Sequence, residues 1–362
     1  MEQMLQPPQA EVRQARLPKY TIIKKNQTMN GAACIDLEKS ALGAVLKQDW
    51  EASKKSYSEF VGKSVEEYTE SRSKRGIGKW QTNETDVRDA LVFLLSKLNG
   101  QGITIGNEAM LMSQFLQKKE RNCETSCFLC ADFLAGLGMK AKDMAILIFY
   151  SKDNENLDVG HAILRVFGTY FDVNKASLIG YEPNSLRKVA SPYMEYRLDN
   201  KAALNYQVIC SAISRKCMEK GGEVSNDPKN FKLQSELNNL IELGIDFSTK
   251  AQKMRPNDWM IGTSMADFQL RAMTQYRNNG QLNDATVHAN EAYKAVNKVL
   301  SLNPELVLCY LLRAEILQAS SRYLDALKDY QYAYDRMPPG HKYKEATKEK
   351  IEYVEKMIKE GK

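Results

Sequence analysis

The chemistry-bearing residues of this chain are a cysteine that opens a helix, a histidine that opens a strand and an aspartate on the strand that follows. The 362-residue chain holds seven cysteines but only three histidines, His161, His288 and His341. An odd number of cysteines excludes a complete set of intramolecular disulfides. In a reducing compartment they serve as thiols, ligands or nucleophiles. Cys123 follows Asn122 at the start of a helix, where unpaired backbone N–H groups and the positive end of the dipole stabilise a thiolate and lower its pKa. The same N–H groups suit an oxyanion forming on an attacked carbonyl. A nucleophilic thiol also needs a base, and His161 is the candidate. His288 and His341 fall in helical sequence and read as surface residues.

The orienting acid follows from strand register. GHAILRVFGTYFDVN reads as a hairpin turning at Phe167-Gly168. A two-residue turn sets Val166 opposite Thr169, Ile163 opposite Asp172 and His161 opposite Asn174. Side chains alternate along a strand, so His161, Asp172 and Asn174 then share one face. Asp172, or alternatively Asn174, can hold one ring nitrogen and leave the other for the thiol. A three-residue loop would turn Asp172 to the wrong side.

The elements that must position these residues are legible from periodicity. Residues 36–70 read as helix, the glycines of SRSKRGIGKW break the pattern, and Val87, Ala90, Leu91, Leu94 and Leu98 mark a second helix ended by Gly100. GITIGNEAM reads as a short strand or extended connector. NCETSCFLCADFLAGLG is a compact helix, and MAILIFY a buried strand. Helices followed by strands indicate an α+β core. Cys127 and Cys130 lie on the Cys123 face of their helix among apolar residues and read as core. A CxxC pair on a helix, without a second pair, is not a zinc knuckle. No metal or cofactor is implied. The polar stretch 219–230 reads as a domain boundary, and everything from Phe231 onward as helix.

Two resemblances follow from these residues. Cys123 at a helix start, LGMKA closing that helix, then HAILRV and YFDV resemble the transglutaminase-like branch of the papain-type enzymes. That resemblance implies an α+β core with Cys123 as nucleophile, His161 as base and Asp172 as orienting acid. Gln117, six residues before Cys123, matches the spacing of papain's oxyanion glutamine. Around the trio the chain departs from the family: Arg121 stands where a glycine is common, Lys140 and Val173 where prolines are, and Ile163 where a tryptophan is. In the C-terminal third, Pro304 and Pro338 are 34 residues apart, with Tyr310, Ala314, Leu317, Tyr323, Ala326, Tyr330 and Ala333 between them. That period and pattern resemble a tetratricopeptide hairpin, with 264–303 a degenerate version and 231–255 and 341–360 completing the stack. The Tyr-rich stripe at 323–334 reads as packing.

The expected organisation is an N-terminal extension with helices over 1–85, a transglutaminase-like core over 86–222 and a tetratricopeptide-like domain over 231–362. Residues 1–18 read as a loose lead-in. A net charge of +6 is spread along the chain, without the basic face of a nucleic-acid binder. No apolar run spans a bilayer, and the N-terminus lacks a signal-peptide core. The expectation is a cytoplasmic cysteine-dependent enzyme acting on an amide of a protein or peptide, by hydrolysis or transamidation. The alternative is a scaffold that keeps the trio without using it.

Overall fold

The computed structural model describes residues 30–43, 45–46, 48–77, 80–106, 111–150, 160–174, 180–181, 193–199, 201–341 and 343–361. The lead-in at 1–18 lies outside them. The chain divides into two compact units, one spanning residues 23–215 and one beginning at Lys216.

The first unit is organised around a helix with no polar face. α5 (Cys123–Gly136) buries every residue from Thr125 to Leu134. A helix apolar on all sides must be surrounded, and here α1 (Asn30–Leu42), α2 (Trp50–Lys74), α3 (Glu84–Gly100) and a strand of the sheet all pack on it. The buried acid Asp132 is satisfied by the start of α1: the N–H groups of Asn30 and Gly31 donate to it at 2.6 and 2.8 Å, and the Tyr57 hydroxyl of α2 donates at 2.7 Å.

The helical periodicity across 36–70 is real but interrupted. Leu42 ends α1, and Asp49 starts a new helix by accepting the Ala52 N–H at 2.9 Å. A short parallel pair, β1 (Thr104–Ile105) with β2 (Glu120–Arg121), and the single-turn α4 (Phe115–Lys118) lead into α5.

The sheet is antiparallel, in the order β6-β5-β4-β3-β7, from β3 (Met144–Tyr150), β4 (Gly160–Val166), β5 (Thr169–Phe171), β6 (Gly180–Tyr181) and β7 (Tyr193–Arg197). β4 and β5 pair Val166 with Thr169 and Leu164 with Phe171, the register of a two-residue turn. Phe167 and Gly168 both adopt positive φ, 52° and 94°. That is the turn whose twist suits adjoining strands, and glycine fills its second position without strain.

α6 (Lys201–Asn226) carries the chain across the division at 215/216. Residues 219–226 are therefore the end of a long helix rather than a linker, and the turn is confined to 227–230. Ion pairs of Lys216 with Glu219 and of Lys220 with Glu223 and Glu236 hold this end despite Gly221 and Gly222.

The second unit continues as α7 (Phe231–Met254), α8 (Trp259–Asn278), α9 (Leu282–Leu302), α10 (Val307–Ala319), α11 (Tyr323–Arg336) and α12 (Lys344–Lys359), with each helix from α8 onward packed on its predecessor. These short-looped helix pairs are consistent with a helical-repeat region. α10 and α11 fill the stretch between Pro304 and Pro338. Ala314, Leu317, Ala326, Tyr330 and Val354 form a core there, and Arg313 grips Asp329 with two bonds of 2.7 Å. The tyrosine stripe is split: Tyr330 is core, whereas Tyr332 is half-buried and stacks on Tyr310 with ring centroids 3.9 Å apart. His341 is buried, not a surface residue, because the turn between α11 and α12 folds inward and sets its ring edge-on to Tyr343. His288 is half-buried, stacked on Tyr276 and bonded to Gln269 at 2.7 Å. Among the described residues no helix is long and apolar enough to cross a membrane.

Candidate functional site

Local sequence dictates where Cys123 sits. Asn122 caps α5 by accepting the Thr125 N–H at 2.8 Å, and Thr125 Oγ1 accepts the Asn122 N–H at 2.9 Å. This reciprocal box satisfies two end groups of the helix and fixes Cys123 as its first residue. Backbone N–H groups of three residues favour the ionised Cys123 sulfur there: Cys123 itself, Glu124 and Ala162. The last belongs to β4 and directly follows His161, so the thiol is held against the strand that carries the histidine.

The hairpin supplies the other two members. Its register puts His161 and Asp172 on one face, and His161 Nε2 lies 3.0 Å from Asp172 Oδ2. The carboxylate is only 1 % exposed and the imidazole 27 %. With Asp172 as acceptor, Nε2 carries the ring proton and Nδ1 is the basic nitrogen. Phe149, opposite His161 on β3, stands edge-on to the ring at 5.6 Å and limits its rotation. Asp172 Oδ1 also accepts the Asn174 N–H at 3.2 Å. The imidazole is therefore oriented by Asp172. Asn174 turns its Oδ1 to Arg121 at 3.2 Å instead. The Gln117 amide donates to Ser53 of α2 at 3.5 Å.

Charge at the site runs against the expected thiolate. The three N–H groups do favour the ionised sulfur, but burial outweighs them and the Glu124 carboxylate adds to it, so Cys123 is pushed from 9.0 up to about 12. Both effects favour the neutral thiol. Burial likewise pushes Glu124 up to about 7. All seven cysteines remain thiols, with Cys123 half-buried and the other six buried. Cys127 and Cys130 are core. No cluster of three or more metal-ligating side chains occurs among the described residues.

Two contributors escape a sequence reading. Glu124 is one. The other is Arg121, which in the run KKER looks like a solvated charge yet is 2 % exposed. Its Nη1 donates to Ser126 Oγ at 2.8 Å and to the Val173 carbonyl and Asn174 Oδ1 at 3.2 Å each. It thereby braces the first turns of α5 to the segment just beyond Asp172. Its place two residues before the cysteine, where the family commonly has glycine, was the available signal.

Comparison with known proteins returns nothing: no family model, no curated protein and no solved structure matches the chain.

Proposed function

We propose that the chain is a cysteine-dependent acyl-transfer enzyme of transglutaminase-like, papain-type architecture, whose tetratricopeptide-like C-terminal unit recruits a protein or peptide substrate. The observation that carries this reading is the His161 Nε2 to Asp172 Oδ2 bond of 3.0 Å beside a thiol that takes its N–H from Ala162. The cysteine opens the helix while the base and its orienter come from the adjoining hairpin. These are the roles a thiol nucleophile requires.

In this mechanism the Cys123 sulfur attacks an amide carbonyl as His161 Nδ1 takes the thiol proton. The imidazolium then gives that proton to the departing amine, the C–N bond breaks and a thioester remains. Water resolves the thioester by hydrolysis, and a second amine resolves it by transamidation. Asp172 holds the ring in its tautomer throughout. A cytoplasmic setting, where thiols stay reduced, suits such a nucleophile.

The raised Cys123 favours a second reading, a transglutaminase-like and tetratricopeptide-like scaffold for protein–protein interaction whose trio is idle. Burst release of nitrophenolate from p-nitrophenyl acetate separates the two. The enzyme reading expects a stoichiometric burst that Cys123→Ala abolishes and Asp172→Asn slows by about 10²–10⁴-fold with the fold intact. A wild-type chain without a burst, in an assay that traps the thioester on a papain-type control, would leave the scaffold.

A further inference from the structure

The brace formed by Arg121 uses only one end of its guanidinium. Nη1 makes all three hydrogen bonds. Nε is buried without a partner, and Nη2 makes no hydrogen bond among the described residues. No carboxylate pairs with Arg121 among them either, and burial lowers its pKa. A buried cation without a counter-charge is expensive, and its unbonded Nη2 is a charge-assisted donor that suits a carboxylate oxygen.

That side chain lines a cleft of about 90 Å³ beneath α3, together with Ser96, Asn99 and Asn174. Asn174 spends its carbonyl oxygen on Arg121, which leaves its amide N–H groups to donate. Among the described residues the polar lining thus offers donors and no acid. Val92 and Ile105 also line the cleft and are 47 % and 48 % exposed, two of the large apolar side chains this chain leaves to solvent. A single cation matches a monovalent anion. A phosphate dianion would call for a second positive group, and none lines the cleft among the described residues.

We propose that this cleft is a subsite for a carboxylate carrying a small apolar group, held by Nη2 of Arg121 with the Asn174 amide beside it. It deepens the acyl-transfer reading, on which the word substrate rests, by naming the charge that the substrate brings. Arg121 stands two residues before Cys123 and Asn174 two after Asp172. An occupied cleft therefore tightens the link between the helix that carries the nucleophile and the hairpin that carries the base.

Binding is measured on the full chain carrying Cys123→Ala, so the outcome does not depend on turnover. The probes are N-acetylalanine, its neutral amide and inorganic phosphate, titrated calorimetrically and by thermal shift. N-acetylalanine is expected to bind about ten- to hundredfold more tightly than its amide, the ratio a charge-assisted bond supplies. Ser96→Glu, which places a carboxylate at the cleft from the exposed face of α3, should abolish probe binding in a folded chain, and Arg121→Lys should weaken it. Equal binding of acid and amide, no saturable binding of either, or binding undiminished by Ser96→Glu overturns the proposal, as does phosphate binding more tightly than N-acetylalanine. Acid-selective binding in a chain that shows no acyl burst would leave the subsite and remove the enzyme reading. A burst without acid-selective binding would do the reverse.

Discussion

Alkylation of Cys123 tests the electrostatics of the site directly, because that thiol is half-buried and the other six are buried. One equivalent of iodoacetamide added to the native chain should modify Cys123 first, whereas unfolding exposes all seven. The rate is the informative quantity. Moving the thiol from 9.0 to about 12 leaves about a thousandfold less thiolate at neutral pH than an ordinary cysteine carries, since each pH unit is a factor of ten. Labelling followed by peptide mass spectrometry from about pH 6 to about pH 9 should therefore climb close to tenfold per unit without levelling. Glu124→Gln removes the charge that adds to burial and should raise the rate at every pH where Glu124 is ionised. His161→Ala should leave the slope unchanged while it abolishes acyl transfer. A rate that plateaus at or below about pH 7, and that falls with His161→Ala, would mean a pre-formed thiolate–imidazolium pair and refute the neutral-thiol account.

Three further outcomes probe the frame around the site. Gly31→Ala would set a Cβ 2.3 Å from the Tyr57 ring, whose hydroxyl shares Asp132 with the Gly31 N–H; urea denaturation should show a loss of about 1–3 kcal/mol, and an unchanged midpoint would contradict the packing. Glu38 is fully buried and raised from 4.5 to about 7 by burial, against the Met112 and Ser113 N–H groups that it accepts. Its proton is held more tightly folded than unfolded, so its contribution is complete below pH 4.5 and is lost as pH rises through 7, by about 3 kcal/mol. Denaturation midpoints of wild type and Glu38→Gln should diverge over that window, and parallel curves would exclude it. Phe167→Asn should stabilise the hairpin by about 1 kcal/mol, because asparagine tolerates the positive φ that phenylalanine endures there; a destabilised variant would show that the half-exposed ring packs usefully.

Legibility in the sequence tracked how local each cause is. The turn at Phe167-Gly168 and the alternation on either side determined the His161–Asp172 face, since a two-residue loop admits one register. Asn122 and Thr125 placed Cys123 at a helix start through contacts three residues apart. Wherever distant chain decides, the reading failed. Leu42, Leu46 and Trp50 keep a helical spacing across the break at 43–49, and only Asp49 capping Ala52 reveals the new start. The polar stretch 219–230 read as a boundary, yet α6 continues to Asn226, with ion pairs along it and to Glu236 on α7. Asn174 looked equivalent to Asp172 until the buried Arg121 claimed its oxygen. At Cys123 the helix end is visible in sequence, and the burial that pushes its thiol up is not.

Burial has opposite consequences for the two charge distributions through which the proposed reaction passes. At rest the enclosed first turn of α5 opposes the thiolate, and the N–H groups of Cys123, Glu124 and Ala162 recover only part of that penalty. In the attack, negative charge leaves sulfur for the carbonyl oxygen while the proton moves to His161 Nδ1. An imidazolium bonded to a carboxylate that is 1 % exposed then forms in the same poorly solvated space. Low local polarity strengthens that His161–Asp172 attraction just when the ring gains charge. The environment that keeps the resting thiol neutral thus favours the charge-separated transition state, which is the differential stabilisation catalysis requires. A neutral Cys123 is for this reason compatible with an active trio.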